Sequence, residues 1–293
     1  MDTIICDISG THSRVAILQN EKIVKLRDYL TQDIKSIKEL LSMYIYLEKI
    51  EPTSIVISIA GNVENREGKL HHGMLKINEN DLKVLGFEEI IILNDFEALS
   101  YGVLDVNKFK EITPIISSEK YLVIGAGTGL GVSIFDNNST LSNEDAHISI
   151  NLENIKYTPR EIDFLNWYKE KVSSNTIKNG QILSGRGLEN IYTYIAGSVL
   201  SAEEISQIGT KSAQETFDIF YSFYIKIIIY FTQKYDVKQV FVAGGIIMKN
   251  MQYFNQEQEA IWVQKLESIG CRILLDYDVS LYGLKKIALK KFN

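Results

Sequence analysis

The sequence predicts an α/β chain made of two similar halves, and three observations carry that expectation. β-Branched runs alternate with stretches of helical spacing along the whole chain. Two of the runs open a strand–glycine-turn–strand unit, DISGT at residues 7–11 and GAGTGLG at residues 125–131. Each unit is followed by its own series of helices and strands, which points to an internal duplication. A length of 293 residues accommodates one large or two medium domains.

The first two runs meet in a turn around Ser9, Gly10 and Thr11, and a third follows a hairpin loop over residues 19–22. Over residues 35–49, Ile37, Leu40, Leu41, Tyr44 and Leu47 recur on one helical face. The strand SIVISIAG, a polar loop over residues 62–68 and a short helix over residues 80–85 come next. EEIIILNDF reads as a strand ending at Asn94 and Asp95, ahead of the helical EALSYGV. The second half opens with YLVIGAGTGLGVSIF. It goes on to a long helix over residues 212–235, the strand QVFVAGGI, and a further helix and strand. Three prolines and no Pro- or Ser-rich run argue against a loose linker, so packed elements should join the halves.

Hydrophobic residues make up 45% of the chain and charged residues 23%, which suits a sizeable core. A net charge of -6 argues against electrostatic binding of nucleic acid. It leaves room for a local anion site made of backbone N–H groups, helix ends and a metal ion. Cys6 and Cys271 are far apart and in no C-x-x-C arrangement, so a reducing compartment is expected. Asp2 and Asp7 stand where a secretory signal needs a basic start and an apolar stretch. The most apolar segment, residues 220–231, contains Lys226 and is too short to span a bilayer. The expectation is a cytoplasmic chain without a membrane or nucleic-acid partner.

Glycine lets a backbone approach phosphate closely, and consecutive N–H donors hold it. In DISGT, Asp7 ends a strand where it is placed to hold Mg²⁺ through water, while Gly10, Thr11 and the turn amides face phosphate. GAGTGLG offers a second such turn, with Gly127 before Thr128 at its tip. FVAGGI sets Gly244 and Gly245 directly after a buried strand, where a flat adenine ring can lie against backbone. Any one of these turns alone reads most simply as a hairpin; three in this order, each after an apolar run, read as a nucleotide site. A Walker A sequence and a strand-turn-helix G-x-G-x-x-G are both missing, which sets aside P-loop and Rossmann readings.

Phosphoryl transfer to a hydroxyl calls for a base beside the attacking oxygen and for charge neutralisation around the phosphoryl group. Asp95 follows the run IIIL, and in α/β sheets such strand ends face the ligand crevice. Asp95 reads equally as an N-cap for the next helix. The phosphate turns on either side favour the catalytic reading, with Asn94 beside a substrate hydroxyl.

Together these blocks resemble the bacterial-type glucokinases, in the superfamily of sugar kinases, Hsp70 and actin. DISGTHSR resembles the first phosphate motif, LGFEEIIILNDFEALSYG the segment around a catalytic Asn-Asp, and GAGTGLGVS the second phosphate motif. NEDAH stands where the family has G-E-G-G-H, ILSGRGLENIY matches the segment after it, and FVAGGI matches the adenosine motif. The resemblance covers nearly the whole chain. It implies two actin-like ATPase (ribonuclease H-like) domains with a ligand cleft between them. Residues 1–112 would form a small domain completed by a C-terminal helix over 280–293, and residues 113–279 a large one. It further implies ATP with Mg²⁺ as cofactors, a hexose phosphorylated on O6, and a homodimer as an allowed state. By resemblance Asp95 is the general base, Asn94, Gly129, Glu144 and His147 bind sugar, and Asp7, Gly10, Thr11, Gly127, Thr128, Gly244 and Gly245 bind nucleotide.

The departures fall on or beside the sugar side. Ser9 and His12 replace a glycine and an asparagine of the first motif, and Asp145 and Ala146 replace two glycines. His71 and His72 stand in a loop where the family carries tryptophan, and Gly180 stands where it carries a glucose-binding glutamate. A lost carboxylate weakens the hold on particular hydroxyls or makes room for a substituent. The expected activity is therefore a glucokinase, with a kinase for mannose or an N-acetylhexosamine, or a catalytically weak sugar sensor, as alternatives.

Overall fold

The computed structural model describes residues 2–70, 73–137, 139–142, 149 and 155–292. The chain separates into two units, one formed by Met1–Asn107 with Asp276–Asn293 and the other by Lys108–Leu275.

In the first unit the chain runs through β1 (Thr3–Ile8), β2 (His12–Gln19), β3 (Lys22–Leu30), α1 (Ile37–Glu48) and β4 (Ser54–Ile59). It continues through β5 (Gly61–Glu64), β6 (Glu67–Leu70), β7 (Lys76–Asn78), α2 (Glu79–Val84), β8 (Glu89–Asn94) and α3 (Asp95–Gly102). The main sheet has the order β3-β2-β1-β4-β8, with β1, β4 and β8 parallel. Every residue of β1 and β4 is buried, because both faces of the sheet are covered. Ile4, Cys6 and Ile8 pack with residues of α1 and α2, while Ile5, Val56 and Leu93 pack with Ala98 of α3 and with Leu281, Leu284 and Ile287. Those three leucine and isoleucine side chains come from the last helix, Val279–Phe292, which returns to this unit.

Two expectations need correction here. Residues 62–68, read as a polar loop, form the hairpin of β5 and β6. Asn65 and Arg66 both take left-handed φ, 50° and 62°, so a two-residue turn closes the strands with the polar side chains outward. Leu47, placed on the buried face of α1, is 46% exposed; it sits on the last turn, before Lys49 ends the helix in the left-handed conformation.

The second unit comprises β9 (Phe109–Thr113), β10 (Lys120–Ala126), β11 (Leu130–Asp136), β12 (Ser139–Ser142), α4 (Pro159–Val172), α5 (Asn179–Ile182) and α6 (Gly185–Ala196). After them come α7 (Ala202–Ile208), α8 (Lys211–Tyr235), β13 (Gln239–Ala243), α9 (Gly245–Lys249), α10 (Gln256–Lys265) and β14 (Gly270–Leu274). Its sheet has the order β12-β11-β10-β13-β14-β9. The first five strands repeat the order and directions of the first unit's sheet, the structural form of the duplication. A boundary after residue 112 would cut β9, whose antiparallel pairing with β14 puts it in the second unit. The last helix, α11 (Val279–Phe292), follows the return of the chain at Asp276.

The long apolar segment lies in α8, where Phe220, Phe223, Tyr224, Ile227, Ile228 and Phe231 are buried in the core. Its one cation, Lys226, is taken up by Glu161 at 2.5 and 2.6 Å. Among the described residues no helix is long and apolar enough to cross a membrane. Cys6 and Cys271 are buried free thiols in different units.

Candidate active site

In the first unit, strand register gathers the acidic chemistry at one sheet edge. Asp7 lies level with Ser58 on β4 and with Arg14 on β2, and Ile8, Ile59 and Asn94 form the next row. Residues level with each other across a sheet project from the same face, so Ser58 and Arg14 both reach Asp7. The Asp7 Oδ1 accepts a hydrogen bond from the Ser58 hydroxyl at 2.7 Å. Its Oδ2 accepts from Arg14 at 2.6 Å and from the Ser280 hydroxyl at 2.8 Å. Arg14 also donates to the Tyr277 carbonyl and to Asp278, tying the returning chain to the same carboxylate.

Asp95 is the first residue of α3 and half-buried. Burial, followed by the Asp7 charge, pushes its carboxyl up to about 7; N–H groups of Phe96 and Asp95 and the Asn94 side chain pull the other way. The capping role belongs to Asn94, whose Oδ1 accepts from the Phe96 N–H at 2.8 Å. The Asn94 amide also donates to the Gly61 carbonyl at 2.9 Å. With Asn94 as the cap, the Asp95 carboxylate is left for chemistry. An acid with a pKa near neutrality is suited to take a proton in a reaction run near pH 7.

The first glycine turn joins β1 to β2, with Gly10 and Thr11 exposed. Ser9 stays out of the positive-φ region, so a side chain in place of glycine costs no backbone strain there. His12, the other departure, pairs through Nδ1 with Asp28 at 2.9 Å on the exposed side.

In the second unit, Gly127, Thr128 and Gly129 turn between β10 and β11, closed by the Gly127 N–H donating to the Gly129 carbonyl at 2.8 Å. The Gly185 N–H, at the start of α6, donates to the Gly127 carbonyl at 2.9 Å. β13 runs parallel beside β10, so Gly244 and Gly245 lie next to that turn at the carboxyl ends of neighbouring strands. Gly244 takes φ +97°, and a Cβ there would stand 2.4 Å from the Ala126 carbonyl oxygen, while Gly245 has open space in that direction. The pairing of these two glycine elements follows from close backbone packing that admits no side chain.

Sequence reading thus placed Asp7, Gly10, Thr11, Asn94 and Asp95 in the first unit and Gly127, Thr128, Gly129, Gly244 and Gly245 in the second. Glu144 and His147, and likewise His71 and His72, lie outside the described residues. Gly180 is the second residue of α5; Asn179 before it is buried, and its amide oxygen has no hydrogen-bond partner among the described residues. Sequence reading missed Arg14, Ser58 and Ser280. Arg14 carried a signal, because a hairpin centred on the DISGT turn brings it level with Asp7. Ser280 carried none, being 273 positions from the carboxylate it binds.

A Mg²⁺ can be tested against these donors. Asp7 is 3% exposed, and among the described residues its Oδ1 accepts one hydrogen bond, which suits contact through water rather than direct ligation. The residues fit a hydrated magnesium ion held mainly by phosphate.

The family model for glucokinase matches residues 4–290. A glucokinase of Xanthomonas euvesicatoria pv. vesicatoria is 27% identical, covering 84% of this chain and 80% of the relative. Among solved structures, glucokinase from Balamuthia mandrillaris in complex with glucose superposes with a TM-score of 0.82 at 18% identity, covering 98% of this chain and 93% of that one. A ROK family glucokinase from Streptomyces griseus, in complex with glucose and AMPPNP, gives 0.67 at 15% identity, covering 99% and 100%. At these identities the structural likeness establishes the fold, the actin-like two-domain architecture.

Proposed function

The chain belongs to the glucokinase family of ATP-dependent sugar kinases, and on that premise we propose that it transfers the γ-phosphoryl group of ATP to the 6-hydroxyl of a hexose, with Asp95 as general base. The observation that carries the assignment is Asp95 itself: at the end of β8, released from capping by Asn94, and held near neutral pKa by burial and Asp7. As the hydroxyl oxygen bonds to phosphorus and the bond to the ADP oxygen breaks, the Asp95 carboxylate takes the hydroxyl proton. By family likeness Asn94 holds a neighbouring hydroxyl, and Gly129, Glu144 and His147 complete the sugar contacts. By the same likeness the turns of Gly10 and Thr11 and of Gly127 and Thr128 face the phosphates, the Gly127 N–H closing its own turn, with the adenosine against Gly244 and Gly245. Magnesium, held through water by Asp7, would neutralise charge on the phosphate oxygens.

Glucose is the leading substrate. A second reading, a mannose or N-acetylhexosamine kinase, is favoured by Gly180, which offers no carboxylate where the family carries one, beside an Asn179 oxygen without a partner among the described residues. ADP release measured over glucose, mannose, N-acetylglucosamine and N-acetylmannosamine separates the two. Highest kcat/KM with glucose supports the first reading and with another sugar the second. Binding without turnover for every sugar would overturn both and leave a sensor.

A further inference from the structure

The first phosphate turn is gripped from behind by one residue outside it. Thr31 follows the last residue of β3 and is 5% exposed. Its hydroxyl donates to the Ser9 carbonyl at 2.9 Å, and its N–H donates to the Thr11 carbonyl, also at 2.9 Å. The Thr31 Oγ1 lies 2.9 Å from the Ser13 hydroxyl, which is fully buried. A hydroxyl has a single proton, and that of Thr31 goes to Ser9, so Ser13 is the donor in this pair and orients Thr31.

The peptide bonds are trans, and in a planar trans peptide the N–H points opposite to the carbonyl before it. With the Ser9 carbonyl drawn to Thr31, the Gly10 N–H is directed away from it. The His12 N–H, opposite the Thr11 carbonyl, is taken by the Ser9 hydroxyl at 3.2 Å. The grip therefore holds two carbonyl oxygens back and turns out the amide of Gly10, at the exposed tip of the turn. A carbonyl swung to the outer side would set a partial negative charge against phosphate, in a turn whose use is to bind it.

We propose that Thr31 is a positioning residue for the nucleotide: with Ser13 behind it, it fixes the peptide orientations that let Gly10 donate to phosphate. The inference rests on the reading that this turn binds the phosphates of ATP. Its test is calorimetric binding of magnesium AMPPNP, beside the KM of the best sugar, for wild type, Thr31→Val and Thr31→Ser. Valine keeps the branched shape and the N–H but removes the hydroxyl; serine keeps the hydroxyl. Thr31→Val should bind AMPPNP about tenfold more weakly with the sugar KM unchanged, and Thr31→Ser should restore binding to within about twofold. Unchanged AMPPNP affinity in Thr31→Val, or equal weakening toward nucleotide and sugar, would overturn the proposal. Should the valine variant not fold, Ser13→Ala takes its place, and selective loss of AMPPNP affinity is again required. Wild-type AMPPNP binding without turnover of any sugar would sink the proposed function alone. Sugar turnover with no selective nucleotide effect would sink this inference alone.

Discussion

Asp95 is placed by a helix that is itself placed by two glycines, and replacing one of them should cost activity at a distance. Helix α11 crosses α3 where Gly283 and Gly102 meet the opposing backbone. A Cβ on Gly283 would stand 1.7 Å from the Ala98 carbonyl oxygen and 2.7 Å from its carbon. Real Cβ contacts keep at least 3.0 Å, so the helices must part by about 1 Å. Two effects compete in Gly283→Ala. Helix propensity favours alanine by about 1 kcal/mol. Overpacking against backbone, which has no rotamer to turn aside, costs about 1–3 kcal/mol and should prevail. Ala98 is three residues along α3 from Asp95, so the proposed base moves with it, and a misplacement of about 1 Å is worth on the order of 100-fold in kcat. The assay is coupled ADP release on protein shown to be folded by its thermal melt. A kcat within about threefold of wild type would refute the claim that this crossing positions the base.

Gly244→Ala should raise the KM for ATP by about tenfold or more, since alanine is strained at φ +97° and its Cβ meets the Ala126 carbonyl oxygen at 2.4 Å; wild-type kinetics would contradict the close packing of the two glycine elements. Asp95 also makes stability depend on pH. Its carboxyl, ordinarily near 3.8, is raised in the folded chain by burial and by Asp7 to about 7. Between those values the unfolded chain has released a proton that the folded chain keeps, so this group takes stability away as pH rises. Asp95→Asn cannot ionise, so its urea midpoint relative to wild type should rise between about pH 4 and 7 and hold its gain above that. A difference that shrinks with rising pH would contradict the burial assigned to Asp95.

The strand–turn–strand units were legible in sequence because β-branched runs and glycine turns are local signals, and the shared sheet order of both units bears out their repetition. The hairpin of β5 and β6 was hidden, since its turn uses Asn65 and Arg66 at positive φ without a glycine. Among site residues, the glycines and Asp95 stood out because they end apolar runs. Their supports did not. Ser58, Ser280 and Thr31 are ordinary hydroxyl residues whose partners are set by register and by a chain return from far along the sequence. Sequence left the cap open to Asp95, and the geometry gives it to Asn94, whose Oδ1 accepts from the Phe96 N–H.

The central claim is that the Asp95 carboxylate takes the proton of the sugar hydroxyl. It is tested most directly by kcat in Asp95→Asn, measured with saturating ATP and the best sugar, on protein whose AMPPNP affinity is retained. Asparagine keeps the size of the side chain and cannot accept that proton. Loss of the base predicts a fall of about 100- to 10,000-fold in kcat. A fall of less than about tenfold would contradict the account and move the base elsewhere.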